Sequence, residues 1–223
     1  MSSQRDEAYS PAGEPLLRQA LEAAEVARED ATSQRILDAA LGQFEDFGLR
    51  RTTMEDVARR AGMSRITIYR RFAGKDALVE AVLLRESSRF FTALDAAVAD
   101  LPTTEERLVE GFAFTLEYLR GHVLLNRLLG TEPDALLPFL TVEVGPILAA
   151  AREFLADRLG REIAEGRLPP LDVAVAGELL SRLVLSFLLT PDSVVRLDGP
   201  EAAREFARRY LAPSLRVAPP ARS

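Results

Sequence analysis

Apolar residues recur at helical spacing from residue 32 onward and predict an all-α protein. The first strong segment carries an apolar stripe at positions i, i+3/i+4 and i+7, formed by Ile36, Leu37, Ala40, Leu41, Phe44 and Phe47. Gly48 follows as a stop signal. Similar patterns predict helices at about 54–61, 65–72, 76–97, 104–119, 123–129, 133–165, 172–189 and 200–211. No strand-like alternation interrupts them, so the fold class is all-α.

The breaks between these helices divide the chain into four parts. Residues 1–30 form a polar N-terminal extension that we expect to be partly disordered. Residues 31–78 predict a three-helix head of the helix-turn-helix type, and residues 79–213 predict a helical body. Residues 214–223 are predicted to be a disordered tail.

The second and third helices carry the local signals of a helix-turn-helix. Thr53 can cap the second helix, with Asp56 three residues on as an approximate capping box. Gly62 suits the turn because a left-handed backbone costs glycine little. Ser64 can cap the third helix, and Ile68 and Phe72 recur at i, i+4 as its buried anchors.

The side of the third helix opposite Ile68 and Phe72 would then face the major groove of DNA. Arginine can bond guanine through two donors, and isoleucine or threonine can touch a thymine methyl. A tyrosine hydroxyl, and residues at helix starts, can bind phosphate. The predicted DNA-binding residues are Thr53, Ser64, Arg65, Ile66, Thr67, Tyr69, Arg70 and Lys75.

The charge distribution agrees with a local nucleic-acid surface. Between Leu49 and Lys75 the chain has eight basic and two acidic residues, a net charge of +6. The whole chain carries −6, which leaves −12 for the rest. A basic head on an acidic body is typical of phosphate binding confined to one region.

Residues 33–78 resemble the TetR family of bacterial regulators. The resemblance rests on the turn Val57-Ala-x-x-Ala-Gly-Met-Ser64, the recognition helix Thr67-x-Tyr-x-x-Phe72 and the helix start Lys75-Asp-x-Leu78. The preceding helix, with its Ile-Leu-x-Ala-Ala pattern from Ile36, is also similar. The resemblance implies an all-α dimer, a ligand pocket in the C-terminal body and, usually, repression relieved by a small molecule.

Three positions depart from the family pattern. Ile66 stands where a small residue or proline is usual, Ala73 replaces a frequent proline, and Gly74 replaces a frequent serine. Gly74 weakens the expected cap before Lys75, and Ile66 can alter the base preference.

The body shows two features of functional interest. The segment 172–189 is apolar on nearly all sides and cannot lie on the surface of a monomer, so we expect a homodimer through it and segment 200–211. Aromatic residues with a few polar neighbours predict a ligand pocket. An ordinary packed core, with the histidine at a helix start, is the alternative. The candidate pocket residues are Phe112, Tyr118, His122, Asn126, Phe139 and Glu143.

Composition restricts the chemistry. The chain has no cysteine and one histidine, so no thiolate or two-histidine metal site is predicted, and no catalytic residues or cofactor are assigned. No membrane segment is apparent, and a cytoplasmic location is expected.

The sequence therefore predicts a regulator that binds a double-stranded DNA operator. We expect a repressor that a small apolar or aromatic ligand, not identified by the sequence, releases. An activator or a ligand-independent regulator is an alternative, as is a helical binding protein or enzyme with a vestigial head.

Overall fold

A computed structural model of the chain describes residues 31–141, 145–190 and 192–216, and all regular structure within these ranges is helical, which confirms the all-α prediction. The extension 1–30, Glu143 and residues 217–223 lie outside the described residues. Within the same ranges, no helix combines the length and apolarity needed to cross a membrane. The helices are α1 (Ala31–Arg51), α2 (Met54–Ala61), α3 (Arg65–Arg71), α4 (Lys75–Val98), α5 (Thr104–Gly121), α6 (Val123–Thr131), α7 (Pro133–Thr141), α8 (Gly145–Ala164), α9 (Val173–Leu189) and α10 (Pro200–Phe206), followed by a π-helical turn (Ala207–Leu211) and a 3₁₀ helix (Ala212–Arg216).

The structure describes the segment predicted as one helix over 133–165 as α7 and α8, and residues 142–144 between them lie outside the described residues. It differs from the sequence prediction at the C-terminal end. The predicted tail begins too early, because residues 214–216 belong to the 3₁₀ helix and Leu215 is only 4% exposed.

Helix α1 is interrupted at the predicted stop. Gly48 has φ +81°, a conformation that side chains rarely adopt, and one further helical turn follows it to Arg51. The hydroxyl of the buried Thr52 donates to the Gly48 carbonyl at 2.8 Å and so closes this turn. The turn leads directly into α2.

One apolar cluster, which we call the shared core, contains residues of both head and body. Its members are at most 9% exposed, so the head is packed against α6 and α7 rather than joined to them only by the chain. The head supplies, among others, Ile36, Phe44, Val57, Ile68 and Leu78, and the body supplies Leu124, Leu128, Leu136 and Leu140.

A second core lies between α5, α9 and α10. Phe112 on α5 stacks on Phe206 with 5.7 Å between ring centroids, and Phe187 of α9 meets Phe206 edge-on at 5.5 Å.

At the start of α5, the Thr104 hydroxyl donates to the buried Glu162 carboxylate of α8. Bonding from Arg167 holds the pKa of Glu162 at about 2, so this carboxylate is ionised at neutral pH and fixes α8 to α5.

Candidate nucleic-acid interface

The start of α2 is fixed by the capping box that the sequence predicts. The Thr53 hydroxyl oxygen accepts from the Asp56 backbone N–H at 3.2 Å, and the Asp56 carboxylate accepts from the Thr53 backbone N–H at 3.0 Å. Hydrogen bonds from the Thr53 side chain and backbone, and from Arg59, hold the pKa of Asp56 below its usual value. Thr53 remains exposed beside these contacts.

The turn between α2 and α3 has the geometry expected when a glycine ends one helix and a serine caps the next. Gly62 has φ +65°, and the N–H of Met63 donates back to the Ala58 carbonyl at 2.9 Å. The Ser64 hydroxyl then accepts from the Thr67 N–H at 3.2 Å and caps α3. Both predicted signals are confirmed.

The buried side of α3 is also as predicted. Ile68 is fully buried, and Phe72, which ends the helix, is 8% exposed. Ala58 and Ala61 on α2 are buried as well, so small residues let the two helices pack closely. This framework holds the opposite side of α3 towards solvent.

That opposite side carries most of the predicted DNA-binding residues. Ile66 is 74% exposed and Tyr69 is 44% exposed, and Arg65 and Arg70 are exposed beside them. Thr67 is half-buried, and its hydroxyl lies 2.9 Å from that of Ser64. Ile66 is thus the most accessible apolar group on this face.

Two exposed arginines of α3, Arg65 and Arg70, are loosely held. The Arg65 guanidinium lies 3.5 Å from the Glu55 carboxylate, with both side chains more than half exposed, and 5.9 Å from the centre of the Tyr69 ring. Exposed pairs of this kind contribute little and exchange readily with other anions. Arg70 has no ion-pair partner among the described residues.

Lys75 begins α4 directly after the recognition helix. Its ammonium donates to the Arg50 carbonyl at 3.4 Å. Gly74 before it is extended, with φ 175°, and gives no side-chain cap, as its departure from the family pattern predicts. The first N–H groups of α4 are therefore left without a side-chain acceptor from that position.

The predicted ligand-pocket residues do not form one group. Tyr118 and His122 lie together, with ring centroids 6.1 Å apart, and both line an open cavity of about 410 Å³ with Glu45 and Glu86. Phe112 instead belongs to the second core. The pocket assignment as a set therefore stays a prediction.

The remaining pocket candidates add little to this cavity. Asn126 is exposed, and its amide donates to the His122 carbonyl at 3.1 Å. Phe139 lies on α7, but its side chain, like all of Glu143, is outside the described residues. His122 has the helix-start role of the alternative interpretation, because its Nδ1 accepts from the Leu125 N–H at 3.3 Å.

Besides Glu162, two buried charged residues were not singled out by the sequence. Arg85 of α4 is 5% exposed and donates to the Asp38 carboxylate of α1 at 2.7 Å. Glu132, between α6 and α7, is 7% exposed and accepts from the Arg50 backbone N–H at 3.1 Å. Both connect the head to the rest of the chain.

Arg85 interrupts the apolar stripe of α4, at i+3 from Val82 and i+7 from Leu78, and this spacing could have marked it as buried. Glu132 lies between two helices, where helical spacing gives no signal.

Comparison with known families assigns both halves of the chain. Residues 36–82 match the model described as bacterial regulatory proteins, tetR family, and residues 104–209 match the model described as bacterial Tetracyclin repressor, C-terminal domain. The first match covers the helix-turn-helix, and the second covers most of the body.

Individual relatives agree with these matches. The chain is 28% identical to the HTH-type transcriptional regulator AlkX of Mycobacterium tuberculosis over 81% of this chain and 89% of that protein. It is 41% identical over 70 residues to the regulator YvkB of Bacillus subtilis, which is 31% of this chain but only 37% of that protein. Among solved structures, the TetR family repressor AlkX from Dietzia sp. strain DQ12-45-1b, described as implicated in biodegradation of n-alkanes, has a TM-score of 0.62 and 28% identity over 81% of this chain and 96% of that one.

Replacing Arg65 or Lys75 by alanine tests the two kinds of predicted DNA contact. Arg65→Ala should weaken binding to the specific site roughly 5- to 150-fold, because a base contact of about 1–3 kcal/mol is lost. Lys75→Ala should weaken binding to all sequences and reduce the slope of log affinity against log salt by about one. Gel shifts with the chain's own upstream region measure both, with Arg59→Ala, an exposed arginine paired with Asp56, as the control. Wild-type binding by both variants would show that the assigned surface is wrong.

Ile66 should read a thymine methyl. Each thymine of the bound site is replaced in turn by deoxyuridine, which lacks only the C5 methyl group. At one position the replacement should weaken wild-type binding about fourfold, the free energy of about one buried methyl group, and should leave Ile66→Ala binding unchanged. If Thr67→Ser, and not Ile66→Ala, removes the sensitivity, the methyl contact belongs to Thr67.

Proposed function

The chain belongs to the TetR family of bacterial DNA-binding transcriptional regulators, and we propose that it is a repressor released from its operator by a small apolar ligand. The DNA-binding part of this proposal is supported by the exposed face of α3, where the buried Ile68 holds arginines and Ile66 outward. A helix of this kind, with one face anchored and the other free, fits the major groove.

The repressor role is supported by a relative. The Dietzia protein, 28% identical to this chain, is described as a repressor implicated in n-alkane biodegradation. We propose by analogy that this chain also represses its target and that its ligand belongs to the class of apolar, chain-like or aromatic compounds.

Aromatic side chains around α4, α5 and α8 support an apolar ligand. Phe90 of α4 lies 5.2 Å from Tyr118, and Phe91 lies 4.9 Å from Phe154 of α8, measured between ring centroids. Phe114 meets Tyr118 at 5.8 Å from the other side. Tyr118 joins this aromatic group to the cavity that it lines with His122, Glu45 and Glu86, so a ligand there would meet ring surfaces as well as two carboxylates.

The repressor proposal is tested by release from DNA. Fluorescence anisotropy of a labelled upstream fragment is measured with the protein and with n-decane or naphthalene as probes. One of the two should release the DNA, and Tyr118→Ala should need more of it while binding DNA normally in its absence. Binding that neither compound changes, or a reporter gene that the protein activates, would contradict the proposal.

We also propose that the active form is a homodimer that uses α9. Val175 and Leu179 lie on one side of this helix and are 53% and 63% exposed, and Tyr210, beyond α10, is 59% exposed. The opposite side is closed, because a Cβ at Gly177 would lie only 3.2 Å from the Arg152 Cα. A two-fold pairing of this face would present two recognition helices to half-sites about 34–36 Å apart, or wider.

Introducing a charge into this face should separate the subunits. Leu179→Glu places a carboxylate where we expect an apolar contact, so sedimentation should change from dimer to monomer at micromolar concentration, and operator affinity should fall. Val194→Glu is the matched control, since Val194 is fully exposed outside the helices. A wild-type monomer at this concentration, or a Leu179→Glu dimer, would refute this interface.

A further inference from the structure

Glu132 occupies an unusual place for a carboxylate. It lies between α6 and α7 and is 7% exposed. Its N–H donates to the Leu128 carbonyl at 2.9 Å, and its carbonyl accepts from the N–H groups of Ala135 and Leu136 at 3.0 and 3.2 Å. The backbone of Glu132 is therefore fixed by the end of one helix and the start of the next. We call Leu128–Leu136 the α6–α7 corner.

The side chain of Glu132 reaches from this corner into the head. One carboxylate oxygen accepts from the Arg50 backbone N–H at 3.1 Å. The other occupies the space that a Cβ at Gly48 would need, so a side chain at position 48 would displace the Glu132 carboxylate. Position 48 thus favours glycine both for its positive φ and for the approach of this carboxylate.

The segment that Glu132 holds leads to the DNA-facing elements. The N–H of Arg50 is bound by Glu132, and the carbonyl of Arg50 accepts from the Lys75 ammonium at 3.4 Å. Lys75 is a predicted phosphate contact and begins the helix that follows α3. The same short segment therefore contacts the body on one side and the end of the helix-turn-helix on the other.

We infer that Glu132 is a positioning residue for DNA binding, which sets the head on the α6–α7 corner through Gly48 and Arg50. The inference rests on the DNA-binding function proposed above. Leu128 and Leu136 of the corner lie in the shared core, and Leu185 and Leu189 of α9 pack against the same core. A movement of the corner is transmitted to the head by a hydrogen bond as well as by apolar packing.

Two conservative variants separate positioning from charge. Glu132→Gln keeps the length and an acceptor oxygen, whereas Glu132→Asp keeps the charge but is one methylene shorter. Positioning predicts that the Glu132→Gln protein binds the operator nearly as well as wild type. The Glu132→Asp and Glu132→Ala proteins should bind it roughly two- to thirtyfold more weakly, the range for residues that couple distant sites. Asp134→Ala is the matched control, because Asp134 pairs with the Arg50 guanidinium at the surface and should matter little.

Amide hydrogen exchange gives a readout without DNA. The Arg50 N–H should exchange faster in Glu132→Asp than in Glu132→Gln, while amides of the shared core keep their protection. Thermal unfolding identifies any variant that is not folded. If Glu132→Ala does not fold, the comparison of Glu132→Gln with Glu132→Asp still tests the inference.

A double variant tests whether the contact operates in the DNA-bound protein. Gly48→Ala meets the Glu132 carboxylate, but in the Glu132→Ala background only the positive φ remains unfavourable, so the two losses in operator affinity should not add. Wild-type affinity for Glu132→Asp, failure of Glu132→Gln to retain affinity, or additive losses would overturn the inference. If wild-type protein binds no operator fragment, the proposed function fails instead, while the exchange of Arg50 still reports on the contact.

Discussion

The arrangement of the molecule depends on the packing of the head against α6 and α7. The shared core includes fully buried residues from both parts, such as Ile36 and Ile68 of the head and Leu128, 1% exposed, of the body. Closely packed interiors do not deform continuously, so a displaced corner must carry the head with it or adopt another packing. The direction in which α3 faces is thus set by the body as well as by the helix-turn-helix.

Ion pairs neutralise some arginines of the head and leave others available to DNA. Arg59 pairs with Asp56, and Arg60 pairs with Asp46 on α1. Arg70, on the exposed side of α3, has no ion-pair partner among the described residues. On the predicted contact surface Arg65 pairs only with the exposed Glu55, at 3.5 Å, so α3 still presents a positive potential to DNA.

The parts of the fold that the sequence predicts are those set by near neighbours. The Thr53 cap, the Gly62 turn and the Ser64 cap each involve residues within a few positions, and all three are found as expected. The bond from Arg50 to Glu132 spans 82 residues, and no local pattern marks an acid at a helix junction as buried. Likewise, Phe112 is grouped with the other aromatics by composition, but the packing of α5 places it in the second core, apart from Tyr118.

Helix α9 is apolar on nearly all sides because it packs against two cores and also carries an exposed apolar face. Leu185 and Leu189 pack on the shared core, and Leu183 and Phe187 pack on the second core. Two cores therefore account for the C-terminal half of the helix without a partner subunit. The unexplained exposure is concentrated in the N-terminal half, at Val175 and Leu179, which limits the proposed dimer contact to that half. Since the other end of the same helix touches the shared core, the proposed subunit pairing would be linked to the position of the head through this helix.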